Sequence, residues 1–137
     1  MTDQREQLAK AIIRAAKRGE GDAVRALLDQ DASLIDARDR DESTPLHCAC
    51  WKGHQDVVAL LIERGADVKA RNHNTHWGDT PLHAAAHGNR RACAEALIAA
   101  GADLQARNLN GNTPLQETAF HKATPVANLL KRHGVSE

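Results

Sequence analysis

Histidines and cysteines are the residues of this 137-residue chain best suited to ligate a metal or attack a substrate. His73, His76, His83 and His87 follow the spacing H-x2-H-x6-H-x3-H, and imidazoles at such intervals are the commonest protein ligands for zinc. The signal is weak, because polar loops often carry histidine and no cysteine joins the set. Cys48, Cys50 and Cys93 are odd in number and match neither a disulfide framework nor a CxxC knuckle, so reduced, mostly buried thiols are expected. Cys48 alone is expected to be partly exposed. Nothing near it in sequence pairs a nucleophile with a base held by an orienting group, and the chain has no Gly-rich phosphate loop and no paired carboxylates at a pocket-forming spacing. A non-enzymatic protein without a cofactor is the expectation.

The elements that must position these residues follow from composition. Apolar residues make up 42% of the chain and aromatics only 2%, so the core has to be built from Ala, Leu, Ile and Val, which suits thin helical layers. Eighteen Lys+Arg balance eighteen Asp+Glu, which argues against nucleic acid as a partner. The longest apolar run, Ala96 to Ala102, is far too short to span a bilayer, and the first residues lead into no signal-like segment; a cytoplasmic protein without membrane contact is expected.

A period organises the chain. Thr44-Pro45-Leu46-His47-Cys48-Ala49 recurs as Thr80-Pro81-Leu82-His83-Ala84-Ala85, and a degenerate copy runs from Thr113 to Ala119. A second motif, Leu60 to Asp67, recurs as Ala96 to Asp103 at the same offset from each threonine. With these two motifs in register, the chain resembles the ankyrin-repeat family. The resemblance implies an all-α repeat solenoid of helix-turn-helix layers with β-hairpin-like loops. About four repeats are expected: an N-terminal cap over 1–39, repeats over 40–72 and 73–108, and a C-terminal cap over 109–137.

The local physics agrees with that outline. Each threonine suits a helix N-cap and each proline the first helical position, where its missing N–H costs nothing. Gly53 is placed to stop the first helix in the left-handed region, and Val57, Val58, Leu60, Leu61 and Ile62 then present an apolar face at helical period. In the N-terminal cap, Leu8, Ile12, Ile13 and Ala16 form one apolar stripe and Ala23, Val24, Leu27 and Leu28 another. Arg5, Lys10, Arg14, Lys17 and Arg18 lie on its other face, read as the solvated outside of a terminal layer. Toward the other end, Gln116 replaces the motif histidine, Lys122 a glycine, and Thr124-Pro125 opens a last helix. Two further departures stand out. Glu42 occupies a hairpin position where glycine is usual, predicting a distorted turn, and Gly88-Asn89 inverts the expected order, leaving Asn89 to end its helix in the left-handed region.

The resemblance also assigns roles. It makes His47 and His83 hydrogen-bonding spacers between layers, and places Cys50 and Cys93 at small or aliphatic core positions. Compared with Asn108–Thr113, the loop from Asn72 to Thr80 carries three extra residues, which lengthen the hairpin of the third repeat and bring His73, His76 and Trp77 to its tip. The resemblance lines a concave face with Arg40, Asp41, Ser43, Trp51 and Lys52, then His76, Trp77, Asp79 and His87, then Leu109, Asn110, Asn112, Phe120 and His121. None of the three aromatics falls at a core position of the pattern, and rings set among polar groups are the usual anchors of protein interfaces. The expected function is therefore binding of another protein by a monomer through the concave face and hairpin tips. The alternatives are a metal-binding protein using His73 and His76, or a self-associating structural subunit.

Overall fold

The computed structural model describes residues 3–74, 79–120 and 122–135. Among them are eight α-helices and no β-strand: α1 (Asp3–Arg18), α2 (Gly21–Gln30), α3 (Pro45–Lys52), α4 (Gln55–Glu63), α5 (Pro81–His87), α6 (Arg91–Ala99), α7 (Pro114–Phe120) and α8 (Thr124–Arg132), with a 3-10 turn at Ala32–Asp36. The odd-numbered helices stack on one another in one layer and the even-numbered helices in a second, each pair closed by its own turn. This is a solenoid. The hairpins that join successive pairs are held by loop hydrogen bonds, Asp39 N–H to Ser43 O at 3.0 Å and Asn108 N–H to Asn112 O at 2.8 Å.

Helix starts follow from the TP pairs. Thr44 and Thr80 sit in extended backbone just ahead of the proline that opens α3 and α5, and each hydroxyl accepts the N–H of the histidine three residues on. The core fills as the composition requires. Leu46, Leu61, Leu82, Leu97 and Leu130 are fully buried together with Val57, Val58, Cys50 and a run of alanines. In the N-terminal repeat Ile12, Ile13, Ala15, Ala16, Val24 and Leu28 close the stack, while Ala23 lies outside the buried stripe.

Each helical pair turns on a left-handed residue: Gly19 at φ +74°, Gly53 at +81°, Asn89 at +56° and Lys122 at +53°. A Cβ on Gly19 would come within 2.6 Å of the His54 ring, and one on Gly53 within 2.7 Å of the Arg90 side chain. Glycine there serves both the backbone and the close approach of the next layer. The residue after Asn89 is Arg90, the N-cap of α6, so Asn89 holds the place that Gly53 holds before His54, and asparagine tolerates the left-handed region itself. The inverted Gly88-Asn89 order is thereby explained.

The Glu42 turn is not distorted. Glu42 takes φ +63°, as Gly111 takes +81° in the fourth repeat, and both donate their N–H to the residue three earlier, Asp39 and Asn108. Arg38 Nη1 further donates to Glu42 O at 2.8 Å, as Arg107 does to Gly111 O at 2.9 Å. The hairpin frame overrides the local preference, leaving strain in the backbone instead of a changed shape.

Candidate functional site

The motif histidines are consumed by the fold. His47 Nδ1 accepts the N–H of Thr44 at 3.1 Å, and its Nε2–H donates to Asp79 O, in the next repeat, at 2.7 Å. His83 repeats the arrangement with Thr80 and Asn112 O, the latter at 2.9 Å. Both nitrogens of each ring are spoken for, which fixes a neutral tautomer. Burial pushes the His47 pKa down to about 4 against the opposing pull of the Asp79 carbonyl, and His83 is lowered for the same leading cause. Neither ring can ligate a metal without opening its helix cap, which removes His83 from the zinc-like spacing. Among the described residues no group of three or more His, Cys, Asp or Glu gathers as a metal site; His76 lies outside them.

The thiols are equally inert. Cys48, Cys50 and Cys93 are all free and buried, and burial raises Cys48 to about 12, Cys93 to about 11 and Cys50 well above its ordinary value. The expected partial exposure of Cys48 is wrong: it faces into the stack at 1% exposure, because α3 is covered on both sides by α1 and α5.

The proposed concave residues divide into three groups. Ser43 and Asp79, expected at the surface, are buried. The Ser43 hydroxyl accepts from Asn72 Nδ2 at 2.9 Å, and the Asp79 carboxylate is held by Arg71 Nη1 at 2.8 Å. They belong to the hairpin framework, together with a ladder in which Arg38 reaches Arg71 O at 2.7 Å and Arg71 reaches Arg107 O at 2.9 Å. Asn112 is half-buried, its amide donating to Glu117. His76, Trp77 and His121 lie outside the described residues. Arg40, Asp41, Lys52, Leu109, Asn110 and Phe120 are exposed, and Trp51 and His87 half-buried.

The open residues are ordered by the repeat. Two positions before each left-handed residue stand Lys17, Trp51, His87 and Phe120, at or near the ends of α1, α3, α5 and α7. The Trp51 and His87 rings meet edge to face at 4.8 Å. The backbone of Lys17 and of Trp51 is fastened from the next layer: His54 Nε2–H donates to Lys17 O at 2.9 Å and Arg90 Nε–H to Trp51 O at 3.2 Å. Trp51 also packs against the buried core, so this ring has a structural share that its place in the repeat pattern did not suggest.

The two ends of this row differ in chemistry. At the fourth repeat Phe120 is 69% and Leu109 59% exposed, and Phe120 borders an open groove of about 340 Å³ with Asn112, Leu115, Gln116 and Ala119. At the first, Lys10, Lys17, Arg38 and Arg40 converge with Asp39 and Asp41 on an open cleft of about 610 Å³. Sequence reasoning placed Lys10 and Lys17 on the solvated outer face of the cap. The signal that relates Lys17 to Trp51 is their common offset from a glycine, which the missing TPLH motif of the first repeat obscured.

A family model of ankyrin repeats, three copies, matches residues 2–72 and 69–136, and the chain belongs to the ankyrin-repeat family. It is 44% identical over 62 residues to human ankyrin repeat domain-containing protein 49, a match spanning 45% of this chain and 26% of that protein. It is 48% identical over 61 residues to the serine/threonine-protein kinase VIK of Arabidopsis thaliana, across 44% of this chain and 14% of the kinase. It is 39% identical over 51 residues to alpha-latrotoxin-Lh1a of Latrodectus hasselti, across 37% of the chain and 4% of the toxin. The chain thus covers about a quarter or less of these relatives. Among the described residues, no helix is long and apolar enough to cross a membrane.

Proposed function

We propose that this chain is a non-enzymatic protein-binding module, acting as a monomer in the cytoplasm, whose partner lies along the concave face, the row of ends of α1, α3, α5 and α7, and the hairpin tips. The repeat units are those bounded at 1–39, 40–72, 73–108 and 109–137. The observation that carries the reading is the exposure of Leu109 and Phe120 in one repeat of a protein whose other described large apolar side chains are buried or half-buried. Neither side chain is needed to fill the core, and apolar anchors bordered by polar groups such as Asn110, Asn112 and Gln116 suit the centre of an interface. Repeats of this family generally serve as protein-protein interaction modules. The kinase among the relatives does not carry an activity to this chain, since so little of that enzyme is matched.

Affinity capture from the source cell's lysate, comparing the wild type with a Leu109→Ala/Phe120→Ala variant of unchanged circular dichroism, tests the reading. One protein held by the wild type and released by the variant is expected. Equal capture by both would move the site elsewhere, and concentration-dependent dimers abolished by the substitutions would assign the two side chains to self-association.

A further inference from the structure

The basic cleft and the aromatic end lie on one row, and their chemistries are opposite in kind. Lys10 and Arg40 form no ion pair among the described residues, while Lys17 approaches Asp39 only at 4.0 Å. Asp39 is fixed in place, one carboxylate oxygen accepting the N–H groups of Asp41 at 2.8 Å and Ser43 at 3.0 Å. Asp41 accepts from Asn74 Nδ2 at 3.3 Å. A chain of zero formal charge therefore sets four cationic side chains against two carboxylates at one end of its open face.

Resting on the binding reading above, we propose that the partner is an extended acidic peptide segment bound in one direction. Its carboxylates lie in the Lys10/Lys17/Arg40 cleft, and an apolar side chain lies against Phe120 and Leu109. A peptide suits the cleft better than a nucleic acid. The Asp39 and Asp41 carboxylates in its wall would repel an unbroken run of phosphates, whereas carboxylates on alternate residues can pass between them. Trp51 and His87, placed between the two ends, would contact the middle of the segment. Adjacent inner helices pack at about 8–10 Å, so three steps from Lys17 to Phe120 cover roughly 24–30 Å. An extended chain rises about 3.3 Å per residue, which sets the acidic and apolar residues of the partner about 7–9 positions apart.

The test is selection from a displayed library of random peptides about twelve residues long, enough to span that distance. It uses the full chain, a Lys10→Glu/Arg40→Glu variant and the Leu109→Ala/Phe120→Ala variant; all four side chains are exposed, and circular dichroism checks each fold. Wild type should enrich peptides carrying acidic residues at one end and an aromatic or Leu at the other, at the stated spacing and in one polarity. The charge reversal should weaken a selected peptide about tenfold at 0.15 M salt, with a smaller loss at higher salt. The apolar variant should lose the aromatic preference and keep the acidic one. Enrichment of apolar peptides without acidic residues overturns this inference while leaving the binding reading intact. No enrichment by any form overturns both. Tighter binding of a labelled oligothymidylate than of any selected peptide, lost on charge reversal, would assign the cleft to nucleic acid instead.

Discussion

The interior caps Thr44–His47 and Thr80–His83 and the fourth-repeat cap Thr113–Gln116 solve the same local problem with different reach. In all three the residue at the fourth motif position accepts the threonine N–H and gives its own N–H to the threonine hydroxyl; for Gln116 these distances are 2.9 and 3.3 Å. Only the imidazoles carry a second nitrogen across to the next hairpin, at Asp79 O and Asn112 O. Gln116 stays exposed and borders the open groove beside Phe120. A motif position thus passes from tying layers together to lining a surface where, among the described residues, no further hairpin meets it. The buried and open faces of one helix type separate the side chains that hold the fold from those proposed to bind.

The largest way to break that comparison is His47→Ala. It takes from the Asp79 carbonyl one of its two hydrogen bonds, the other being from Asn72 N–H, leaves the Thr44 N–H without a partner in a site of 0% exposure and opens a void, so unfolding in urea should show a loss of about 3–4 kcal/mol. Gln116→Ala removes only a half-exposed cap bond and should cost about 1 kcal/mol.

Acid sharpens the contrast, with an effect of about 3 kcal/mol for His47. Its folded pKa, about 4, lies below the ordinary 6.5, so between these values the unfolded chain binds the proton and the folded chain does not. This contribution should be full above pH 6.5, fall as pH drops toward 4, and level off below. His83 contributes in the same direction. Urea midpoints across this range should fall less steeply for His47→Gln, which can close the box as Gln116 does but does not titrate.

Smaller effects lie in the hairpins. Glu42→Gly relieves a left-handed glutamate without changing the turn's hydrogen bonds and should stabilise by about 0.5 kcal/mol in thermal unfolding, after the added freedom of the unfolded glycine is set against the relieved strain. Phe120→Ala should change stability by no more than about 0.5 kcal/mol, since the ring is mostly in solvent.

The parts of the fold set by local chemistry were readable in the residues. Thr-Pro starts and the apolar face of α4 each follow from a few neighbouring side chains, whereas the histidine spacers were implied by the resemblance to the family. What could not be read depends on how one layer meets the next. Ser43 and Asp79 share the polarity of surface residues, and only the positions of Asn72 and Arg71 across the hairpin bury them. Cys48 is closed by α1, whose sequence lacks the motif that would have set its register. The same missing motif hid the meeting of Lys10 and Lys17 with Arg40. Glu42 shows the converse: its local preference was read correctly, and the frame of Asp39, Ser43 and Arg38 held the turn regardless.

The central claim is that the side chains that bind are separable from those that hold the stack. Its most direct test is a paired measurement on the Leu109→Ala/Phe120→Ala variant: the urea midpoint, and the affinity for the captured partner. An unchanged midpoint with affinity reduced at least about tenfold is predicted, as befits exposed anchors at an interface. A midpoint lowered by about 2 kcal/mol of stability, or an affinity equal to that of the wild type, would contradict the claim.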